Sequence, residues 1–212
     1  MKKIVIALSL ILMIACTAWH GPEMEAEEFP LKTGAVHVYK LDGFSDGDSM
    51  VVTTIGTRRH DDRTIYVDSV AYFEGDSLSR VTEEYHYLSG HGYYYYGDKS
   101  IGYLDEPVPM IRFPLYDGKT WYLDSDDTLG PYYTCTDYDT LWLEPGRYRV
   151  FCVQHNDDAV SGTIKYWYAP DVGLVKYGRS IPYGDSYSKE ILDYLPGGFT
   201  ADSMAGANSA GE

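Results

Sequence analysis

Over much of this chain, hydrophobic and polar positions alternate with a period of two. From Arg63 to Phe73 the residues Ile65, Val67, Ser69, Ala71 and Phe73 share one face, and Val81, Glu83, Tyr85 and Tyr87 alternate with Thr82, Glu84, His86 and Leu88. Both patterns predict half-buried antiparallel strands. Further candidate strands are Ala35–Leu41, Met50–Thr57, Gly92–Tyr96, Thr120–Leu123, Tyr132–Trp142, Arg147–His155, Ile164–Ala169, Leu174–Tyr177 and Tyr187–Leu195, separated by Gly, Asp, Asn and Pro clusters. Lys189–Leu195 also suits helical spacing and is read as strand. About ten short strands in one domain predict an all-β fold: an antiparallel curved sheet, a sandwich or a partly open barrel.

The pattern repeats. Phe29-Pro30-Leu31-Lys32-Thr33-Gly34-Ala35-Val36-His37-Val38-Tyr39 aligns without gaps on Phe113-Pro114-Leu115-Tyr116-Asp117-Gly118-Lys119-Thr120-Trp121-Tyr122-Leu123. Each copy reads as a Phe-Pro-Leu stop, a glycine turn and a strand carrying a large ring. One domain over 29–196, built from similar halves 29–110 and 111–196, is therefore expected. His37 occupies the slot of Trp121, so a packed ring is its expected role.

The N-terminus follows a different rule. Lys2 and Lys3 precede an apolar run from Ile4 to Ala15, the layout of a secretory signal over residues 1–15. As a helix this run would be about 18 Å long, short of the ~30 Å hydrocarbon core, so a permanent span is a poor alternative. The run ends Leu12-Met13-Ile14-Ala15-Cys16, which resembles the lipobox of bacterial lipoproteins. The resemblance implies lipid attachment at Cys16 and membrane association through that anchor. Thr17, where aspartate would signal inner-membrane retention, favours the outer membrane. The alternative is an ordinary signal cut near Ala15 or Ala18, leaving a soluble secreted or periplasmic chain. Residues 16–28 read as an acidic tether, and 197–212, rich in Gly, Ala and Ser, as a flexible tail.

Composition narrows the partners. The chain has a formal charge of −15. Removal of Lys2 and Lys3 makes it more acidic, and no Lys/Arg cluster remains to follow a phosphate backbone, so nucleic acid is an unsuitable partner.

Three segments resemble an uncharacterised family of bacterial secreted proteins and lipoproteins: Phe113 to Tyr122, Glu144-Pro145-Gly146-Arg147-Tyr148, and Trp167-Tyr168-Ala169-Pro170-Asp171-Val172-Gly173-Leu174-Val175-Lys176. The family pattern has Pro-Leu-x-x-Gly-x-x-Trp-x-Tyr, a Pro-Ala-Gly-x-Phe hairpin and Trp-Tyr-Ala-Pro-Gly-Val-Gly-Leu-Val-Lys. Departures are His37 for Trp, no Ala between Pro145 and Gly146, and Asp171 for Gly. The resemblance spans most of 29–195 and implies a compartment and an architecture. It carries no activity or site residues.

Candidate chemistry is sparse. With Cys16 committed to lipid, Cys135 and Cys152 form an even pair in an oxidising compartment, flanking a turn at Glu144-Pro145-Gly146. A disulfide is expected; it would close a loop of about 18 residues and contribute about 3 kcal/mol. No Cys-x-x-Cys marks a redox site, and two cysteines alone do not make a metal site. The chain lacks Gly-x-Ser-x-Gly, phosphate-loop, dinucleotide and His-Glu-x-x-His motifs. No cofactor, metal or catalytic residue is indicated. His60-Asp61-Asp62 lies among Arg58, Arg59 and Arg63 and reads as a charged turn, while His86 and His91 flank a loop at Ser89-Gly90. Asp42 to Asp48 and Asp124 to Asp127 lack the glycine and terminal glutamate of a helix-loop-helix calcium site.

The most distinctive surface candidate is Gly92-Tyr93-Tyr94-Tyr95-Tyr96-Gly97, in a chain with 22 tyrosines. Consecutive strand residues point to opposite faces, so two of these rings, Tyr94 and Tyr96 or the other pair, are expected outside as ligand contacts. The expected function is a non-catalytic envelope lipoprotein, structural or binding a glycan, peptide or envelope protein. The alternative is a periplasmic carrier of an apolar ligand such as a lipid, which needs an open, apolar concave face. The third is an envelope hydrolase, which needs a cleft gathering His and carboxylates from both halves.

Overall fold

The computed structural model describes residues 21–45, 47–124, 130–157, 162–182 and 186–197; the signal, Cys16 and residues 198–212 lie outside them. After a 3-10 turn at Ala26–Glu28, the chain runs through β1 (Val36–Asp42), β2 (Ser49–His60), β3 (Arg63–Glu74), β4 (Ser77–Ser89), β5 (Gly92–Asp98) and β6 (Gly102–Arg112). The second half holds β7 (Thr120–Tyr122), β8 (Tyr132–Leu143), β9 (Gly146–Asn156), β10 (Thr163–Ala169), β11 (Gly173–Ser180) and β12 (Tyr187–Leu195).

All belong to one antiparallel sheet in the order β6-β5-β4-β3-β2-β1-β12-β11-β10-β9-β8-β7. Each half is a meander, and the first strand joins the last, from Val36 opposite Leu195 to Asp42 opposite Ser188. The sheet thus curls almost into a barrel, with its free edges, β6 and β7, meeting mid-chain. This realises the all-β, partly open barrel expected from the alternation. Lys189–Leu195 is strand, as its period-two reading requires.

The strand that the sequence pattern did not reveal is β6, which contains Pro107 and Pro109. Proline lacks the N–H that a central strand donates on both sides, so it is tolerated at a sheet edge, and β6 is an edge. The gap beside it is spanned by a side chain: the indole Nε1 of Trp121 donates to the Pro109 carbonyl at 3.2 Å. The repeated segments take up matching backbone, with Gly34 and Gly118 both at φ 85°, a left-handed conformation that favours glycine. In the turn before β11, Asp171, standing for the family glycine, has φ 62°. Aspartate is one of the few side chains that adopt this region readily.

One end of the barrel is closed by the chain that leads into it. Met24 exchanges two backbone hydrogen bonds of 2.9 Å with Leu115. Met24, Ala26, Phe29 and Leu31 pack with Ile111, Phe113, Leu115, Trp121 and Phe151 in the largest core cluster. The Phe29 ring lies 4.4 Å from that of Tyr93. Expected as part of a loose acidic tether, residues 22–28 are instead partly a plug, because Met24 and Ala26 supply apolar surface that the sheet alone leaves uncovered.

A second expectation also changes. Cys135 and Cys152 are buried free thiols, not a disulfide. A bulge between Cys135 and Asp137 sets Cys135 opposite Val153 and Cys152 opposite Asp137. Cys135 packs inward with Tyr133 and Val153. Cys152 sits beside Thr136, Gln154 and Trp167 on the other face, and cysteines on opposite faces cannot be bridged without moving the backbone. Burial holds both thiols above their ordinary pKa, Cys135 at about 12, so neither is an activated nucleophile.

Two measurements check these assignments. Met24→Ala should lower the unfolding free energy in urea by about 2–5 kcal/mol, the cost of a buried methionine, whereas an untethered surface position would change it by under about 0.5 kcal/mol. In a Cys16→Ser background, alkylating the unfolded but unreduced protein should add two labels by intact mass; a disulfide would block both.

Candidate functional site

On β3 and β4 the more polar face turns inward. On β3 the Ile65 and Val67 side chains point outward beneath Tyr85 and Tyr96, while Tyr66, Asp68 and Val70 point in. On β4 the inward residues are Glu84, His86 and Leu88. Pairing across the sheet keeps opposed residues on one face, so Tyr66 meets His86 and Asp68 meets Glu84.

These side chains surround a cavity of about 220 Å³ to which β1 to β6 and β10 to β12 all contribute. Most of its wall is ring and aliphatic surface: Tyr39, Tyr93, Tyr166, Tyr168, Leu31 and Leu174. Its polar part is Thr54 from β2, Asp68 from β3, Glu84 and His86 from β4, and Lys189 from β12. At ~30 Å³ per water the space matches about seven waters, below the roughly 300–1,000 Å³ of drug-sized sites.

The polar residues form a chain of contacts. Thr54 Oγ1 donates to Asp68 Oδ1 at 2.6 Å. His86 Nε2 lies 3.5 Å from both Asp68 Oδ2 and Glu84 Oε2. His86 Nδ1 is 2.8 Å from the Tyr93 hydroxyl, whose ring is stacked on the imidazole. Burial by itself would lower the His86 pKa, but the pairing with Glu84 and the charges of Asp68 and Glu84 outweigh it, and the value is raised. Burial would raise the Glu84 pKa, but the contact with His86 wins and lowers it. Burial lowers the Lys189 pKa against the opposing charge of Glu84. The ammonium lies 4.9 Å from the centroid of the Tyr39 ring. The Tyr39 hydroxyl itself donates to the Leu174 carbonyl at 2.8 Å.

His37 also lines this space, its Nε2 donating to the Val172 carbonyl at 2.7 Å, with its ring 4.7 Å from that of Tyr194. It thus uses a ring N–H to reach a carbonyl on another segment, as Trp121 does in the other half. Burial lowers its pKa, which keeps the ring neutral.

The residues singled out in the sequence are placed differently. Tyr93 and Tyr95 face the cavity. On the outer face Tyr96 is only 2 % exposed, packed with Ile65, Val67 and Tyr85 and accepting a hydrogen bond from Arg63 at 3.2 Å. Tyr94 is half-buried under Arg112, whose Nη1 donates to its hydroxyl at 2.7 Å. The two rings do not form an exposed patch, because arginines and neighbouring tyrosines cover them. Trp142, 74 % exposed beside Arg147, is the large aromatic that stands out instead. His86, read as part of the strand that leads into the Ser89-Gly90 loop, is in β4. His60 precedes the Asp61-Asp62 turn, as expected, and stacks on Tyr103 at 4.0 Å. Asp68, Glu84 and Lys189 were not singled out as site residues because no local motif marks them; only the inward parity of each strand does.

No group of three or more His, Cys, Asp or Glu side chains among the described residues is arranged to hold a metal ion. A serine- or threonine-type hydrolytic triad would need an aliphatic hydroxyl bonded to the histidine. Here the Thr54 hydroxyl is bonded to the carboxylate, and His86 meets a tyrosine and two carboxylates.

No protein-family model matches the chain, and no curated protein sequence is similar to it. Solved structures share its fold. A "putative lipoprotein" from Parabacteroides distasonis ATCC 8503 superposes with a TM-score of 0.52 and 11% identity, over 82% of this chain and 100% of that one. A "putative exported protein with YmcC-like fold" from Bacteroides fragilis NCTC 9343 gives 0.53 and 11%, with the same coverage. At that identity the likeness is one of architecture.

Thr54→Val should cost about 1–3 kcal/mol in urea unfolding, because it leaves a buried carboxylate short of a donor at nearly unchanged volume. The His86 pKa is raised on folding, so its stabilisation is complete below the unfolded value of about 6.5 and fades as pH rises through the folded value. The stability lost in His86→Gln should therefore be larger at pH ~5.5 than at pH ~8, read as the gap between urea midpoints.

Proposed function

We propose that this protein is a non-catalytic, lipid-anchored envelope protein whose barrel holds a small ligand in its interior. The observation that carries the reading is the cavity, with ring and aliphatic walls and a charged cluster at one side, which is the composition of a small-molecule site. Export and anchoring rest on the basic and apolar N-terminus and on Leu12-Met13-Ile14-Ala15-Cys16. The lipoprotein and exported-protein descriptions of the two structures with this fold agree with that compartment. An outer-membrane position is favoured by Thr17 alone.

The other readings have less support. A lipid carrier needs a larger, continuously apolar hollow than one of about 220 Å³ that contains Asp68, Glu84, His86 and Lys189. A hydrolase needs an activated nucleophile, and the Thr54 and cysteine chemistry described above offers none. A surface stacking site at Tyr94 and Tyr96 loses its exposed rings.

Intact and native mass spectrometry test the proposal, using full-length protein extracted from the membranes of a bacterial host with lipoprotein processing, beside Cys16→Ser. The expected result is a diacylated or triacylated chain beginning at Cys16, with acylation lost in the variant. Native spectra should also show a small bound mass that unfolding releases. An unmodified mature mass would sink the anchor, and a native mass equal to that of the bare chain would sink the interior ligand.

A further inference from the structure

Lys189 stands apart from the other interior charges. Its side chain is half-buried and its ammonium faces the cavity from β12; among the described residues it makes no hydrogen bond, and no carboxylate oxygen lies within 4 Å of it. Several of the acceptors in the cavity wall are already engaged. Asp68 uses one oxygen for Thr54 and turns the other to His86; Glu84 turns an oxygen to His86. The Leu174 carbonyl receives the Tyr39 hydroxyl, and Lys189 meets the Tyr39 ring face instead. An ammonium carries three donors, and one set in a cavity wall without a protein acceptor leaves them to whatever fills the cavity. A cation–π contact makes up for only part of that lack.

The geometry points to a small organic acid as the ligand, its carboxylate paired with Lys189 and its apolar or aromatic body against Tyr39, Tyr93, Tyr166 and Leu174. This assignment rests on the interior-ligand reading above and names its chemical class. A carboxylate supplies the acceptors that Lys189 lacks. The rings favour an apolar body, because the Tyr39 and Tyr93 hydroxyls are spent on Leu174 and His86, leaving their ring surfaces toward the space. Charge limits the head group to a single negative charge. His86 sits between Asp68 and Glu84 and offsets part of their field, whereas a dianion would add to the repulsion from both carboxylates. Volume limits the whole molecule to about the bulk of seven waters, the size of a substituted acetic or propionic acid.

The test compares acids with their uncharged amides, which match in shape and lack only the charge. Phenylacetate, hexanoate and their amides would be titrated by calorimetry into full-length protein in detergent, after unfolding and refolding to clear any bound molecule. Lys189→Met and Lys189→Arg would be run beside it, with cooperative urea unfolding as the check that each variant folds. At least one acid is expected to bind about 10- to 100-fold more tightly than its amide, the span expected of a charge-assisted pair. That preference should vanish in Lys189→Met and largely survive in Lys189→Arg. Because the acid–amide comparison is made on the unaltered protein, it stands even if a variant misfolds. Equal binding of acid and amide, or an acid preference that persists in folded Lys189→Met, would overturn the assignment. So would failure of both acids to bind. A neutral molecule released in the native mass experiment would overturn the organic acid while leaving the interior-ligand reading intact; a bare native mass would remove both.

Discussion

The pairing of β1 with β12 is the constraint on which this structure depends. Without it the two meanders of six strands would be separate open sheets with each face partly wet. Joining the first strand to the last makes them one twelve-stranded sheet that curls around an interior. Once an inside exists, alternate residues of every strand must fill it, and the outward face becomes the one that charged and exposed side chains can occupy. The pairing also links residues from opposite ends of the chain, so the interior can be completed only when both halves are in place.

What fills the interior explains its chemistry. Curvature brings Asp68, Glu84 and His86 from neighbouring strands to face Lys189, which lies far away in sequence. Buried charges persist where they are paired or hydrogen-bonded. Thr54, Asp68, His86, Glu84 and Tyr93 meet that condition among themselves. Lys189 meets it only against the face of Tyr39, and the space in front of its ammonium is what distinguishes this barrel from one packed solid.

The opening between β6 and β7 is the other consequence of where closure occurs. The two halves share their opening segments, yet β1 gains a partner strand and β7 does not. Pro107 and Pro109 leave β6 short of donors, and β7 is only three residues long. The seam is held instead by side-chain and plug contacts: Trp121 reaching Pro109, and Met24 paired with Leu115 under Phe29 and Phe113. Residues 24–31, which lead into β1, are thereby part of the core.

Local pattern was enough to read the strands of β1 to β5 and β7 to β12, because a period of two is a property of neighbouring residues. The Phe-Pro-Leu repeats and the glycines at 34 and 118 were legible for the same reason. The edge strand β6 was obscured by its prolines, whose meaning reverses between the middle and the rim of a sheet. The tyrosine run showed that adjacent rings face opposite ways, but not which face lay inside or that arginines cover the outer one. Cys135 and Cys152 looked opposed until one bulge moved them to different faces. By itself, then, the sequence determined an all-β chain with a signal-like N-terminus, a repeated opening and no common catalytic motif. Only the tertiary structure decided that the first and last strands meet, that the polar parity of β3 and β4 turns inward, and that Lys189 shares a cavity with Asp68, Glu84 and His86. The physical reason is that side-chain parity is local, whereas the direction in which a sheet curls depends on pairing between residues at opposite ends of the chain.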